Sequence, residues 1–203
     1  MNTMTIIFDL GGVILNIDYN RTRLAFENLG IKNFNEMYSQ AGADELFMAL
    51  EKGTIDEINF YNEIRKRSGL FLSDEQIRNA WNALLLDFRE GSLQHLDKLQ
   101  SQYNLFLLSN TNKIHLREFN QIFHHKIRKK NFEQFFQKAY YSCDIGMRKP
   151  DADCFEHVLQ ENNLNPAQTI FIDDSLQNVA AAQSLGLHAI LLKPGNNIEN
   201  LGL

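Results

Sequence analysis

Five short apolar runs, TIIFDL (5–10), NLFLLSN (104–110), QKAYYS (137–142), TIFIDD (169–174) and HAILL (188–192), constrain the fold most. Stretches of helical periodicity separate the last four: NKIHLREFNQIF (112–123), ADCFEHVLQENN (152–163) and SLQNVAAAQSLG (175–186). Strand–helix alternation of this kind predicts a parallel sheet with helices on both faces, because parallel strands need crossovers and the crossovers cover the sheet. Runs such as IIF and FLL suit strands buried on both sides.

The first two runs lie about 100 residues apart, and the chain between them reads differently. All three prolines (Pro150, Pro166, Pro194) fall in the last quarter, so nothing earlier forbids long helices. TIDEINFYNEIRKR opens on Thr54 and Glu57 as a capping box and sets Ile58, Tyr61 and Ile64 on one side. SDEQIRNAWNALLLDF opens on Ser73 and Gln76 in the same relation and carries helical spacing through Ile77, Trp81, Leu84 and Phe88. Gly53 is the expected stop of the preceding helix. The expected architecture is an α/β, Rossmann-like core from residues 1–15 and 90–203, with an inserted α-helical cap over 16–89. A chain of 203 residues suffices for a core and such an appendage.

Bulk properties narrow the partners. A formal net charge of −5 offers no basic footprint for nucleic acid. No run reaches the roughly 20 apolar residues that span a bilayer. Cys143 and Cys154 have neither metal nor redox spacing and fit a reducing compartment, and MNTMTIIF carries no export signal, so the expected location is the cytoplasm.

Ligands of open α/β sheets bind beyond the carboxyl ends of the strands. Four places in the sequence sit there: Asp9; Ser109 and Asn110; Lys149 in the loop GMRKP, ahead of a helix that Pro150 can start; and Asp173 with Asp174. Three carboxylates at one mouth repel each other unless a cation joins them. Asp9 and the Asp173–Asp174 pair make a hard oxygen site suited to Mg²⁺. Lys149 adds a fixed positive charge and Ser109 a hydroxyl donor. Together they are what a phosphoryl group in transit needs. Asp9 is the candidate nucleophile, with Gly11 and Gly12 expected to clear the phosphate's approach.

In order, FDLGGV, LLSNTN, GMRKPD and FIDDSLQNV resemble the motifs of the haloacid dehalogenase-like hydrolases, and the resemblance runs over nearly the whole chain. FDLGGVILNIDYNR is especially similar to a bacterial subgroup that includes a glucose-1-phosphate phosphatase. The resemblance implies a Rossmann-like core with a helical cap. It also implies Mg²⁺ held by Asp9, the Gly11 carbonyl and Asp174, with Asp173 assisting, and phosphate contacts from Ser109, Asn110 and Lys149. The expected partner is a small phosphorylated metabolite, by similarity a sugar phosphate.

One position departs from the pattern. Most phosphatases of that superfamily carry an acid/base Asp where this chain has Gly11, and general acid–base help is typically worth about 10²–10⁴-fold. Three readings follow: a phosphatase for esters that need little protonation or are protonated through water or the cap; a 2-haloacid dehalogenase, whose branch lacks the Asp173–Asp174 metal pair; or a binder of phosphorylated ligands without turnover. Asp18 is expected to cap the first inserted helix and could reach the pocket as a substitute acid. Asn178, one turn beyond Asp174, could orient a carboxylate. Residues near Gly42–Asp44 are candidate substrate readers, HHKIRKK (124–130) reads as a solvated helix end, and Arg148 as structural or solvent-facing.

Overall fold

The computed structural model describes residues 4–32, 34, 38–39, 42–43, 45–127 and 131–203. Strand β1 (Thr5–Phe8) and a short β2 (Leu15–Ile17) lead into helix α1 (Tyr19–Asn28). A small hairpin, β3 (Tyr38–Ser39) and β4 (Gly42–Ala43), precedes helices α2 (Glu45–Glu51), α3 (Glu57–Ser68) and α4 (Asp74–Asn82). β5 (Leu85–Phe88) returns the chain to α5 (Glu90–Leu99). Then follow β6 (Asn104–Ser109), α6 (Lys113–Lys126), β7 (Lys138–Tyr141), α7 (Ser142–Ile145), α8 (Ala152–Glu161), β8 (Thr169–Asp173), α9 (Leu176–Ser184) and β9 (His188–Leu191).

The main sheet has the order β7-β6-β1-β8-β9, and every pairing is parallel. Its centre alternates strictly. Ile6, Phe8, Leu105, Leu107, Ile170 and Ile172 join one apolar cluster, while Ile7, Phe106, Leu108 and Phe171 join the cluster on the other face. That is why these runs are apolar at every position. After β1 the chain builds outward through β6 and β7, then crosses back to β8. The order therefore reverses around β1, where the carboxyl ends of β6, β1 and β8 open a crevice.

Most of the inserted helices gather their own apolar cluster. Phe26, Phe34, Phe47, Phe60 and Trp81 form a chain of ring contacts, with Ile114 of α6 reaching in from the core. Two segments connect insert and core, and they pair: β2 runs antiparallel to β5, Arg89 N–H donates to Ile14 O at 2.9 Å, and Arg89 Nε donates to Asn16 Oδ1 at 2.7 Å.

Several local expectations are corrected. The helix expected through Phe88 ends at Asn82, because Leu85–Phe88 finds a strand partner in β2. Its start is as read, with both arms of the Ser73–Gln76 capping box present. Helix α3 is capped by Asp56, which accepts from Asn59 N–H, and not by Thr54, whose hydroxyl donates to Ala49 O. Ile58 is exposed, and Phe60 joins Tyr61 and Ile64 on the buried side. Helix α8 begins at Ala152, two residues after Pro150. Residues 128–130 of the basic run and Asp44 lie outside the described residues. Among the described residues no helix is long and apolar enough to cross a membrane.

Candidate active site

The four sequence positions converge. Asp9 follows β1, held by its N–H donating to Ile172 O at 2.9 Å. Ser109 ends β6 and Asp173 ends β8. Lys149 reaches the crevice from the loop after α7 and is 1% exposed. Its ammonium donates to Asp9 Oδ1 at 2.7 Å and to Asp173 Oδ2 at 2.6 Å. Oxygens of Asp9, Asp173 and Asp174 lie within 4.8 Å of one another.

Each carboxylate has a different environment. Asp173 is fully buried and saturated: Oδ1 accepts from Ser175 N–H at 2.8 Å, Oδ2 accepts from Lys149, and Asn178 Nδ2 donates to both oxygens at 3.1 and 3.0 Å. Asn178 thus meets a carboxylate as the sequence suggested, and the one it meets is Asp173. Asp174 lines the cavity itself. Burial pushes the Asp9 carboxyl up to about 7. Lys149 opposes that shift, while Asp173 and Asp174 reinforce it. Burial alone would depress the Lys149 ammonium, but Asp173 and Asp9 outweigh it and hold it above its ordinary value. Three carboxylates against one buried ammonium leave the cluster short of positive charge.

Gly11 and Gly12 meet different neighbours. Gly12 has φ +72°, and a Cβ there would fall 2.2 Å from Asp174 Oδ2, so its bareness admits Asp174. A Cβ on Gly11 would point at Ile17, 3.0 Å from its Cδ1. Ile17 therefore fills the space into which an acid at position 11 would project.

Asn110 lines the cavity and braces the lysine loop. Its side chain spends both ends on Lys149, donating to Lys149 O at 2.8 Å and accepting from Lys149 N–H at 2.9 Å. Asn112, and neither Ser109 nor Asn110, caps α6. Asp18 caps α1 by accepting from Asn20 N–H at 2.9 Å and does not line the cavity.

The cavity encloses about 150 Å³. Beyond the acidic cluster, Tyr19 and Glu51 line it from the insert, and His115 and Arg148 from the core; none of these was read as a site residue from the sequence. Arg148 Nε donates to Glu51 Oε2 at 2.9 Å, in line with the structural role read for it. Burial raises the Glu51 carboxyl against the pull of Arg148. Burial also lifts the Tyr19 phenol, followed by Glu51 and then Asp174 and Asp9, so Tyr19 feels both Glu51 and the cluster. His115 stacks on Trp81, and burial pulls its imidazole down to about 4, leaving it neutral.

Comparison with known proteins gives the class to which this crevice belongs. The chain belongs to the haloacid dehalogenase-like hydrolase family, whose model matches residues 3–186. It is 28% identical over 202 residues to a D-ribitol-5-phosphate phosphatase of Bacteroides thetaiotaomicron, covering 96% of this chain and 93% of that one. It is 31% identical over 189 residues to a sesquiterpene phosphatase of Aspergillus oryzae, covering 89% and 85%. Among solved structures, a variant of a haloacid dehalogenase family enzyme from Bacteroides thetaiotaomicron, in complex with magnesium and inorganic phosphate, superimposes with a TM-score of 0.94 at 34% identity over 100% of both chains. The protein is a phosphatase of this family.

Proposed function

We propose that the protein hydrolyses a small phosphate monoester of a sugar or sugar alcohol, with Mg²⁺ as cofactor and Asp9 as nucleophile. The buried Asp9–Lys149–Asp173 array beside Asp174 carries this reading. The donor set fits a hard divalent cation: clustered carboxylate oxygens with too little positive charge of their own. Asp9, the Gly11 carbonyl and Asp174 would hold the ion. When bound it supplies positive charge to the phosphoryl oxygens.

Asp173 holds Lys149 beside Asp9 and, being saturated, serves the site through that lysine. Lys149 and the Ser109 hydroxyl bind phosphoryl oxygens, and Asn110 fixes the backbone of Lys149. The Asp9 carboxylate attacks phosphorus, the ester bond to the alcohol breaks, and water then attacks the phosphorus of the aspartyl phosphate, returning Asp9. Gly11 supplies no proton, so the leaving oxygen takes its proton from water. Residues 16–89 act as a cap that limits bulk water and meets the alcohol. The free cysteines suit a cytoplasmic location. A panel of sugar, alditol and aryl phosphates, with Mg²⁺ and with EDTA, tests the proposal. Hydrolysis restored by Mg²⁺ supports it. Binding of esters without turnover would favour a sensor, and halide release from a 2-haloacid in chelator would favour a dehalogenase.

A further inference from the structure

Glu51 lines the same cavity as Asp9 and Lys149, from the insert, and is 6% exposed. Arg148 takes its Oε2, and no described residue engages its Oε1. That oxygen is not among the buried polar atoms sealed off without a partner, so it is open to accept from a group in the cavity. The pair joins the two parts of the chain, since Glu51 ends α2 and Arg148 adjoins the lysine that touches Asp9. Tyr19 lines the same cavity. A phosphate ester docked at Asp9 and Lys149 shares this cavity with Glu51.

Building on the phosphatase reading, we propose that the Glu51–Arg148 pair sets substrate class, with Glu51 Oε1 accepting a hydrogen bond from a hydroxyl of a polyol or sugar. A long apolar alcohol would strand that oxygen, and a site built to bond a hydroxyl rejects an analogue lacking one far more strongly than the reverse. The ion pair with Arg148 occupies Oε2 and leaves Oε1 to the ligand.

The test compares kcat/KM of the full chain for D-ribitol 5-phosphate, n-pentyl phosphate and p-nitrophenyl phosphate. Wild type should prefer the pentitol ester over the alkyl ester of equal carbon number by about tenfold or more, the worth of a hydrogen bond to a charged group. In Glu51→Gln that preference should shrink by about tenfold, mainly through KM for the pentitol ester. Glu51→Asp, which keeps the charge but withdraws it, should also lower the preference. Equal use of both five-carbon esters by an active wild type overturns the proposal, and so does a Glu51→Gln variant that keeps the preference or slows on all three esters alike. Should both variants fail to fold, the wild-type ester comparison decides. A wild type that hydrolyses none of the three overturns the phosphatase reading itself, and the role of the pair with it.

Discussion

Lys149 Nζ lies 2.7 Å from Asp9 Oδ1 although 140 positions separate the two residues. The same ammonium is 2.6 Å from Asp173 Oδ2, and both partners are backed by further bonds. A buried lysine held this way binds an anion without reorganising, which is how preorganised charge accelerates phosphoryl transfer.

Asn110 should therefore matter through Lys149. Asn110→Ala removes both side-chain bonds to the Lys149 backbone. We expect kcat to fall by about 10–100-fold, as for other supporting residues of ion sites, with a stability loss of about 1–3 kcal/mol. Steady-state kinetics and thermal unfolding check both.

Proton and metal should compete at Asp9. Its carboxyl is raised from 3.8 to about 7, so the metal-free folded protein keeps a proton there that the unfolded chain releases. Stability from this group is present at acid pH and is lost as pH rises through about 7. Mg²⁺ needs the ionised form, so it should stabilise more at about pH 8 than at about pH 5. At 100 times its Kd the ion adds about 2.7 kcal/mol, most of which should vanish at the lower pH. Calorimetric scans with Mg²⁺ and with EDTA measure this without any turnover; an equal Tm rise at both values would contradict it.

Gly12 should tolerate nothing larger. Gly12→Ala puts a methyl group into Asp174 and forces a side chain onto a positive φ. The backbone cost alone is about 1–2 kcal/mol, and displacement of Asp174 should weaken Mg²⁺ binding. Chemical denaturation and a Mg²⁺ titration separate the two effects.

Gly11 and Ile17 should behave as a pair. Gly11→Asp alone meets Ile17 and should not raise kcat for alkyl esters. Gly11→Asp combined with Ile17→Ala gives the carboxyl room and should recover part of the roughly 10²–10⁴-fold that acid catalysis provides. A gain in the single variant equal to that in the double would show that Ile17 offers no obstruction.

The sheet was legible in the sequence because its strands are apolar on both faces, so Ile6, Ile7 and Phe8 announce a buried parallel strand at every position. The acidic cluster was legible because each member ends such a strand. Leu85–Phe88 was misread because Trp81, Leu84 and Phe88 fall at helical spacing, while the partner that makes them a strand, β2, lies some 70 residues away. The two bonds from the Asn110 side chain to the Lys149 backbone were not legible, because they join residues 39 positions apart. Glu51 and Arg148 looked like ordinary surface charge until the fold brought them together.

The account rests on a phosphoryl group carried by Asp9, and borohydride trapping during turnover tests this most directly, because an acyl phosphate is reduced to homoserine while a free carboxylate is not. Peptide mass spectrometry of wild-type protein quenched with substrate and Mg²⁺ should find homoserine at position 9, and Asp9→Asn should show neither the product nor turnover. Steady hydrolysis by Asp9→Asn, or rapid wild-type turnover in which residue 9 is never modified, would contradict the account.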